Sequence, residues 1–512
     1  MTCSTISALL ATQAASHKEK VFLYFGEQQI SFQQIASITD KVAGGLQQLG
    51  VQPEDKVCLL LPNCPEYVYL FLGVPKIGAT LVPINTALKL DEVAYIVKDS
   101  DACAIVINPL FLDLVLSLQP LCPKLRWIIL LGESSDLTTS VEVVGWERLL
   151  ATTAKIVDCA QPENIVSIVY TSGTTGRPKG VMLTQSNYWH NSWQASQALS
   201  LQPDDKVMCI LPLFHVNGQV ATLLAPLQVG ASVILTEGFS PRTFFNYVAR
   251  YQATLFSGVP TIYSILLHLP EREKYDLRSL RLCICGAAPM PVEVFNQFEQ
   301  VFKVKIIEGY GLSEGTCVST LNPVDGQRKV GSIGLPLPGQ ELKIFNERDE
   351  ELPVGTVGEI VIRGTNVMQG YYRNPAATAE TLLGGWLHTG DLGYQDAQGY
   401  YYIVGRRKEM IIRGGENIYP KEIEEWLYCH PAIRECAVIG LPDPIWGEEV
   451  AVVISIKPGA TLVGADVIAY CQKELADYKC PRKVFFMAEF PKTATGKIQK
   501  NKLVAMFAPA QN

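Results

Sequence analysis

Long apolar runs are absent from this sequence. Its greasiest stretch, VYLFLGVPKIGATLVPI, is cut by Pro75, Lys76 and Pro83. Nothing reaches the roughly 20 apolar residues a spanning helix needs, so no transmembrane segment is expected. Clusters of lysine and arginine are absent too. The chain carries 43 basic and 50 acidic residues, a net charge of −7, and nucleic acid is not an expected partner. Cysteine occurs 14 times, but without the short spacings of a disulfide framework. The opening MTCSTISALLATQAASHKEK lacks the basic start and long apolar core of a secretory leader. These two absences predict reduced thiols and a cytoplasmic chain. Internal repeats and low-complexity segments are also missing.

What is present describes a globular chain. It has 512 residues, 48% apolar and 18% charged, too long for a single core, so about two to four domains are expected. VFLYFGEQQISF reads as a hairpin turning at Gly26–Gln28. Ser31 then opens a helix, with Gln34 three residues on as a capping box. Short apolar runs follow, separated by helical stretches: KVCLLL, TLVPI, ACAIVI, RWIILL, IVSIVY, KVMCIL, ASVILT, RLCICG and KVKIIEGYG. That alternation predicts α/β layers. From about Val330 short strands with Gly and Pro turns predict a small β-rich subdomain. From about Arg406 the texture changes to an α+β module. The expected organisation is a large α/β domain over 1–405, with the β-rich part at about 330–405, a boundary at 406–408 and a small α+β domain over 409–512.

The stretch YTSGTTGRPKG, residues 170–180, carries the first chemical signal. It follows an apolar strand. Backbone N–H groups and the hydroxyls of Thr171, Ser172, Thr174 and Thr175 can face phosphate oxygens, Gly173 and Gly176 allow close approach, and Lys179 adds charge. The bland alternative is a Ser/Gly-rich turn. The loop differs from the Gly-x4-Gly-Lys-Ser/Thr phosphate loop. Pro178 stands where the second glycine would be, and Gly180 where the magnesium-binding hydroxyl would be. If Mg-ATP is used, the metal must be held elsewhere.

Further stretches follow in order: LPLFHVNG, CGAAP, EGYGLSE, HTGDLG, YYIVGRRKEMIIRGGENIYPKEIE and PKTATGKIQK. With the loop, they make the chain resemble the acyl-adenylating superfamily over nearly its whole length, that is, acyl- and aryl-CoA synthetases, peptide-synthetase adenylation domains and firefly-type luciferases. The resemblance implies the following roles. Glu314 binds the Mg²⁺ of Mg-ATP, a hard oxygen ligand for a hard cation; on its own it would be a surface acid. Tyr310 and Gly311 lie near adenine, Ser313 near the phosphates, and Gly286, Ala287 and Ala288 border adenine and the acyl group. Asp391 accepts the ribose hydroxyls, and Arg406 reaches ribose or phosphate, where the bland reading of RRKE is a solvated face. Arg407, Lys492 and Lys500 are expected to be solvated. His215 lies near the acyl carbonyl and the thiol path, although a lone histidine is usually structural. Lys497 offsets charge between carboxylate and α-phosphate. Lys408 is the implied hinge of a mobile small domain, and Gly414 and Gly415 line the thiol tunnel. Cys283 and Cys285 form a C-x-C, read as core packing.

The acyl group is narrowed by another absence. Phe214-His215-Val216-Asn217 contains no carboxylate to hold an α-amino group. The segment after it is apolar, as is Val259. Phe214, Asn217, Gly218 and Val259 are the expected acyl pocket, with Gly218, Gly286 and Gly311 leaving room. The expected reaction activates a hydrophobic carboxylic acid, a medium- to long-chain fatty acid first, with ATP and Mg²⁺, and passes it to coenzyme A. The alternatives are an aryl acid, a free carrier protein's phosphopantetheine as acceptor, a luciferase-like oxygenase and a non-catalytic nucleotide sensor.

Overall fold

A computed structural model of the protein describes residues 5–132, 141–152, 156–171, 177–270, 272–286, 288, 290–492 and 497–508. Its large domain is built on two sheets. One has nine strands, and its parallel centre runs in the spatial order Lys305–Tyr310, Leu282–Cys285, Leu255–Gly258, Lys206–Cys209, Ser232–Leu235, Val21–Phe25. The other has eight strands. Its parallel part runs in the spatial order Ile165–Thr171, Thr80–Pro83, Lys56–Leu60, Ala104–Ile107, Trp127–Leu130 and Glu142–Gly145. Runs such as Ala104–Ile107 and Ser232–Leu235 are buried at every position, as parallel strands covered on both faces require. The apolar runs read as strands from the sequence all form strands. Leu255–Gly258 escaped notice, being a short run ending in Ser and Gly.

The largest apolar cluster lies between the two sheets. It includes the helices Phe32–Gln48, Pro65–Gly73 and Gln185–Ala198. The helices Phe244–Tyr251, Pro260–His268 and Val292–Phe302 cover the outer face of the first sheet. Leu90–Asp99 and Leu112–Leu118 cover that of the second. The layering is therefore helix, sheet, helix, sheet, helix. The capping box forms as expected: the Gln34 N–H donates to Ser31 Oγ at 3.2 Å, and the Ser31 N–H donates to Gln34 Oε1 at 2.8 Å.

A four-stranded antiparallel sheet follows: Gln340–Phe345, Gly358–Gly364, Leu387–Gln395 and Tyr401–Arg406. The smaller C-terminal unit centres on the hairpin Ile433–Asp443 with Gly447–Ile456. The strands Ile411–Arg413, Glu416–Ile418 and Lys483–Phe486 complete its sheet, which is packed by the helices Pro420–Tyr428, Gly464–Cys471 and Lys500–Phe507. Cys283 and Cys285 are buried in the core, and the described cysteines are free thiols. No helix among the described residues is long and apolar enough to cross a membrane.

Candidate active site

The parallel strands of the nine-stranded sheet end on one edge, and several expected site residues leave from that edge. Lys206–Cys209 runs on to Phe214 and His215. Leu255–Gly258 leads to Val259, Leu282–Cys285 to Gly286, and Lys305–Tyr310 to Gly311. The crevice at the carboxyl ends of parallel strands is where open α/β sheets bind ligands. Ala288 is described; Ala287 lies outside the described residues, as do Ser172, Gly173, Thr174, Thr175 and Gly176. The segment holding those five is flanked by antiparallel strands, Ile165–Thr171 and Lys179–Thr184, with Thr171 opposite Lys179.

Glu314 sits in a short 3-10 turn, Ser313–Gly315, directly before a strained residue. Thr316 has φ 68° and ψ −58°, and the Cys317 N–H donates to Gly315 O at 2.8 Å. This is a positive-φ γ-turn, rare for any residue and costly for a β-branched one. Asn366 holds it: its carbonyl accepts from Thr316 Oγ1 at 2.5 Å, and its side-chain amide donates to Gly315 O at 3.1 Å. Strain that the surroundings over-determine is typical of functional sites. The Glu314 carboxylate accepts from the Tyr371 hydroxyl at 2.9 Å, and Lys179 Nζ lies 4.9 Å from the centre of the Tyr371 ring. Burial, and then Glu314, raise the Tyr371 pKa, so the phenol stays the donor.

Asp391 and Arg406 face each other across paired strands. Arg406 Nε forms an ion pair with one oxygen of Asp391 at 2.9 Å, and the Tyr310 hydroxyl donates to the other at 2.6 Å. Asp391 is buried. A carboxylate has about four acceptor sites, so two partners leave capacity for more. Asp391 raises the Arg406 pKa, which keeps that cation charged.

His215 caps the N-terminus of Val216–Gln219 without using its side chain. Its ring packs on Phe214 at 4.7 Å. His215 Nε2 and Asn217 Oδ1 are both shielded from water and find no partner among the described residues, a rare state for buried polar atoms. Burial, and then the Lys497 ammonium, lower the His215 pKa to about 4, so the ring is neutral at pH 7. The turn before it is gripped from elsewhere in the chain. Asn63 donates to Leu211 O at 3.1 Å and accepts from the Leu213 N–H at 2.7 Å. Tyr67 OH and Gln219 Nε2 donate to Leu213 O at 2.9 and 2.8 Å. The helix continues through a π-turn, Val220–Leu224, where the Ala225 N–H reaches back to Val220 O. Pro226 follows, and its missing N–H and its ring account for the widened turn.

Two glycine readings need correction. A Cβ on Gly218 would stand 2.8 Å from Pro212 O, and one on Gly311 would stand 1.6 Å from Cys317 O. Backbone fills that side of each, so these glycines permit close chain packing and do not open space for an acyl group. A Cβ on Gly286 would meet only Gly309 O, at 3.3 Å. Lys492 and Lys500 are not solvated as expected. Lys492 pairs with Glu435 at 2.6 Å, and Lys500 with Glu424 at 2.8 Å and Glu409 at 3.4 Å. Arg407 reaches Glu359 at 3.4 Å.

Lys497 belongs to the small C-terminal unit, yet its charge feels Arg406, Asp391 and Glu409. Burial and Arg406 lower its pKa, while the two acids raise it. Its residue surface is exposed to solvent. Gly414 and Gly415, at φ 60° and 89°, form the turn between Ile411–Arg413 and Glu416–Ile418. That turn is exposed, and a Cβ on Gly414 would stand 2.7 Å from the Trp446 ring. Lys408 lies in the short turn Arg407–Glu409 that ends the strand Tyr401–Arg406.

Family models for "AMP-binding enzyme" and "AMP-binding enzyme C-terminal domain" match residues 10–372 and 422–497. The chain belongs to the AMP-binding enzyme family. A long-chain-fatty-acid–CoA ligase of Bacillus subtilis is 36% identical, with 98% of this chain and 94% of that protein aligned. Among solved structures, an anthranilate CoA ligase in complex with anthranoyl-AMP is 32% identical, with a TM-score of 0.91 over 98% of this chain and 97% of that one. ATP-bound MatB from Rhodopseudomonas palustris is 31% identical, with a TM-score of 0.89 over 98% and 99%; its apo form scores 0.77. The enzyme is thus an adenylate-forming ligase of the acyl-CoA synthetase branch, using ATP and coenzyme A to activate a carboxylic acid.

Tyr371 and Asn63 were missed by sequence reasoning. Tyr371 is 57 positions from Glu314, and Asn63 is 150 positions from Leu213. Hydrogen-bond pairings this remote leave no periodic or spacing signal.

Proposed function

We propose that the enzyme activates a hydrophobic carboxylic acid, a medium- to long-chain fatty acid, to acyl-AMP with release of pyrophosphate, and then transfers the acyl group to coenzyme A. The observation that carries this reading is the charge environment of His215. The charge that shifts its titration is the Lys497 ammonium. The segment Phe214–Asn217 contributes no carboxylate to hold an amino group, a cation is present to receive an acid, and Phe214 and Val259 are apolar and buried. The name of the Bacillus relative supports the fatty acid. The anthranilate ligase, with its high structural similarity, favours an aryl acid as the second reading. All three relatives leave a carrier-protein acceptor unsupported.

The substrate carboxylate is ionised at pH 7 and needs no general base. Its attack on the α-phosphate brings two anions together, and Lys497 offsets that repulsion and the charge that develops. Asp391 and Tyr310 hold the nucleoside. Glu314 is the residue that would hold Mg²⁺, which neutralises phosphate charge when bound. The described residues contain no cluster of three or more metal-ligating side chains. The single carboxylate of Glu314 is the hard oxygen ligand that Mg²⁺ takes. The thiol then attacks the acyl carbonyl and AMP departs. For this step the small domain turns about Lys408 and exchanges Lys497 for the Gly414–Gly415 turn, as hinges at element ends allow. The charges of Arg406, Asp391 and Glu409 act on Lys497, which supports its use in the first step. The test is a panel of fatty, aryl and amino acids scored for pyrophosphate release with and without coenzyme A. Release with fatty acids and thioester only when coenzyme A is added is the expected result. Release confined to amino acids would refute the reading.

A further inference from the structure

The segment 366–372 belongs to none of the motifs that mark the nucleotide site, yet it joins two of them. At one end it braces the Glu314 turn: Asn366 holds Thr316 and Gly315, and the Met368 N–H donates to Glu314 O at 2.8 Å. At the other it pairs with the strand that leaves the phosphate loop. Gly370 and Tyr371 lie opposite Met182 and Val181, and the Tyr372 N–H donates to Gly180 O at 2.7 Å. Tyr371 sits between these ends, buried, with its hydroxyl on Glu314 Oε1 and its ring under Lys179. We propose that Tyr371 is a positioning residue for Mg-ATP: its hydroxyl orients the Glu314 carboxylate, and its ring seats the Lys179 ammonium. The hydroxyl occupies one carboxylate oxygen and so restricts the direction in which the other can meet a cation. A cation–π contact fixes the ammonium without neutralising it, which leaves its charge for phosphate. This rests on the reading of Glu314 as the metal-binding carboxylate.

The two halves of the assignment separate by substitution. Tyr371→Phe keeps the ring and removes the hydroxyl; Tyr371→Leu removes both. The measurement is calorimetric binding of α,β-methylene-ATP to the full-length protein across a MgCl₂ titration, with AMP as a control ligand and thermal melting as a check on folding. Binding, not turnover, is read. Tyr371→Phe is expected to weaken binding of the Mg²⁺ complex on the order of tenfold, the worth of one hydrogen bond to a charged group, and to leave AMP unchanged. Tyr371→Leu is expected to weaken the metal-free analogue as well. Glu314→Gln should abolish the Mg²⁺ dependence, and adding Tyr371→Phe to it should change nothing further. If Glu314→Gln flattens the Mg²⁺ response while Tyr371→Phe binds as wild type, the Tyr371 assignment is wrong and the metal reading stands. If Glu314→Gln itself leaves the response intact, both fall together. Equal metal-free binding by the Phe and Leu variants would remove the role of the ring.

Discussion

In the mechanism proposed here, Asp391 and Lys497 serve the same reaction from two differently built regions. In the large domain several groups are held by partners from other segments: Asp391 by Tyr310 and Arg406, Glu314 by Tyr371, and the Leu211–Leu213 turn by Asn63 and Tyr67. In the C-terminal unit, Lys497 lies near the start of the helix Lys500–Phe507, and Gly414–Gly415 form an exposed hairpin turn. The junction between the regions is polar. Lys421 Nζ donates to Ile403 O at 2.8 Å, and Arg407 meets Glu359 at 3.4 Å. Groups that bind throughout a reaction can be braced from several sides. Groups that must arrive in turn are better carried on one body held by a few polar contacts, because such contacts exchange for water at small net cost.

The sharpest way to break this comparison is Lys497→Ala. Adenylate formation is expected to fall about 10²–10³-fold, the usual loss when one charge-stabilising group is removed. Transfer to the thiol from supplied acyl-AMP should survive. Pyrophosphate release and thioester formation are the two readouts, and equal loss in both would mean Lys497 belongs to the braced set. Next comes Lys408→Pro. Fixing φ near −65° should hold one orientation, keep adenylation and lower thioester formation by about tenfold or more. Lys408→Ala should do little. Normal rates in both half-reactions with an unchanged melting temperature would place the pivot elsewhere.

A smaller effect is expected from Asn63→Ala, which strips two hydrogen bonds from the turn carrying Phe214 and His215. The large domain should lose about 1–3 kcal/mol in chemical denaturation. The KM for the acid should rise, with AMP binding unchanged. An unaltered acid KM would show that the brace is structural alone.

The last effect concerns the junction and depends on pH. Burial raises the Glu308 pKa to about 7, while the Gly331 N–H and Lys421 lower it. Between its ordinary value of 4.5 and about 7, the folded chain keeps a proton that the unfolded chain has released. This contribution is complete below 4.5 and is lost as pH rises through 7. Glu308→Gln should therefore stabilise the protein at pH 8, by roughly 3 kcal/mol at most, and do almost nothing at pH 4.5. Melting curves at the two pH values decide it.

Local features of this protein were legible in the sequence. Buried strands such as ACAIVI and ASVILT announce themselves by continuous apolar runs, the Ser31–Gln34 cap by residue type and spacing, and the nucleotide motifs by their composition and order. These depend on interactions within a few residues. Asp391, Glu314 and Lys497 became candidates through the family resemblance of the motifs HTGDLG, EGYGLSE and PKTATGKIQK. The tertiary structure decided what depends on approach between distant segments. It set Tyr371 between Glu314 and Lys179, closed Asn63 on a turn far along the chain, drew Lys500 into ion pairs, and filled the space beside Gly218 and Gly311 with backbone. A glycine reads the same in sequence whether it opens a pocket or admits a passing strand. Only the position of the other segment distinguishes the two.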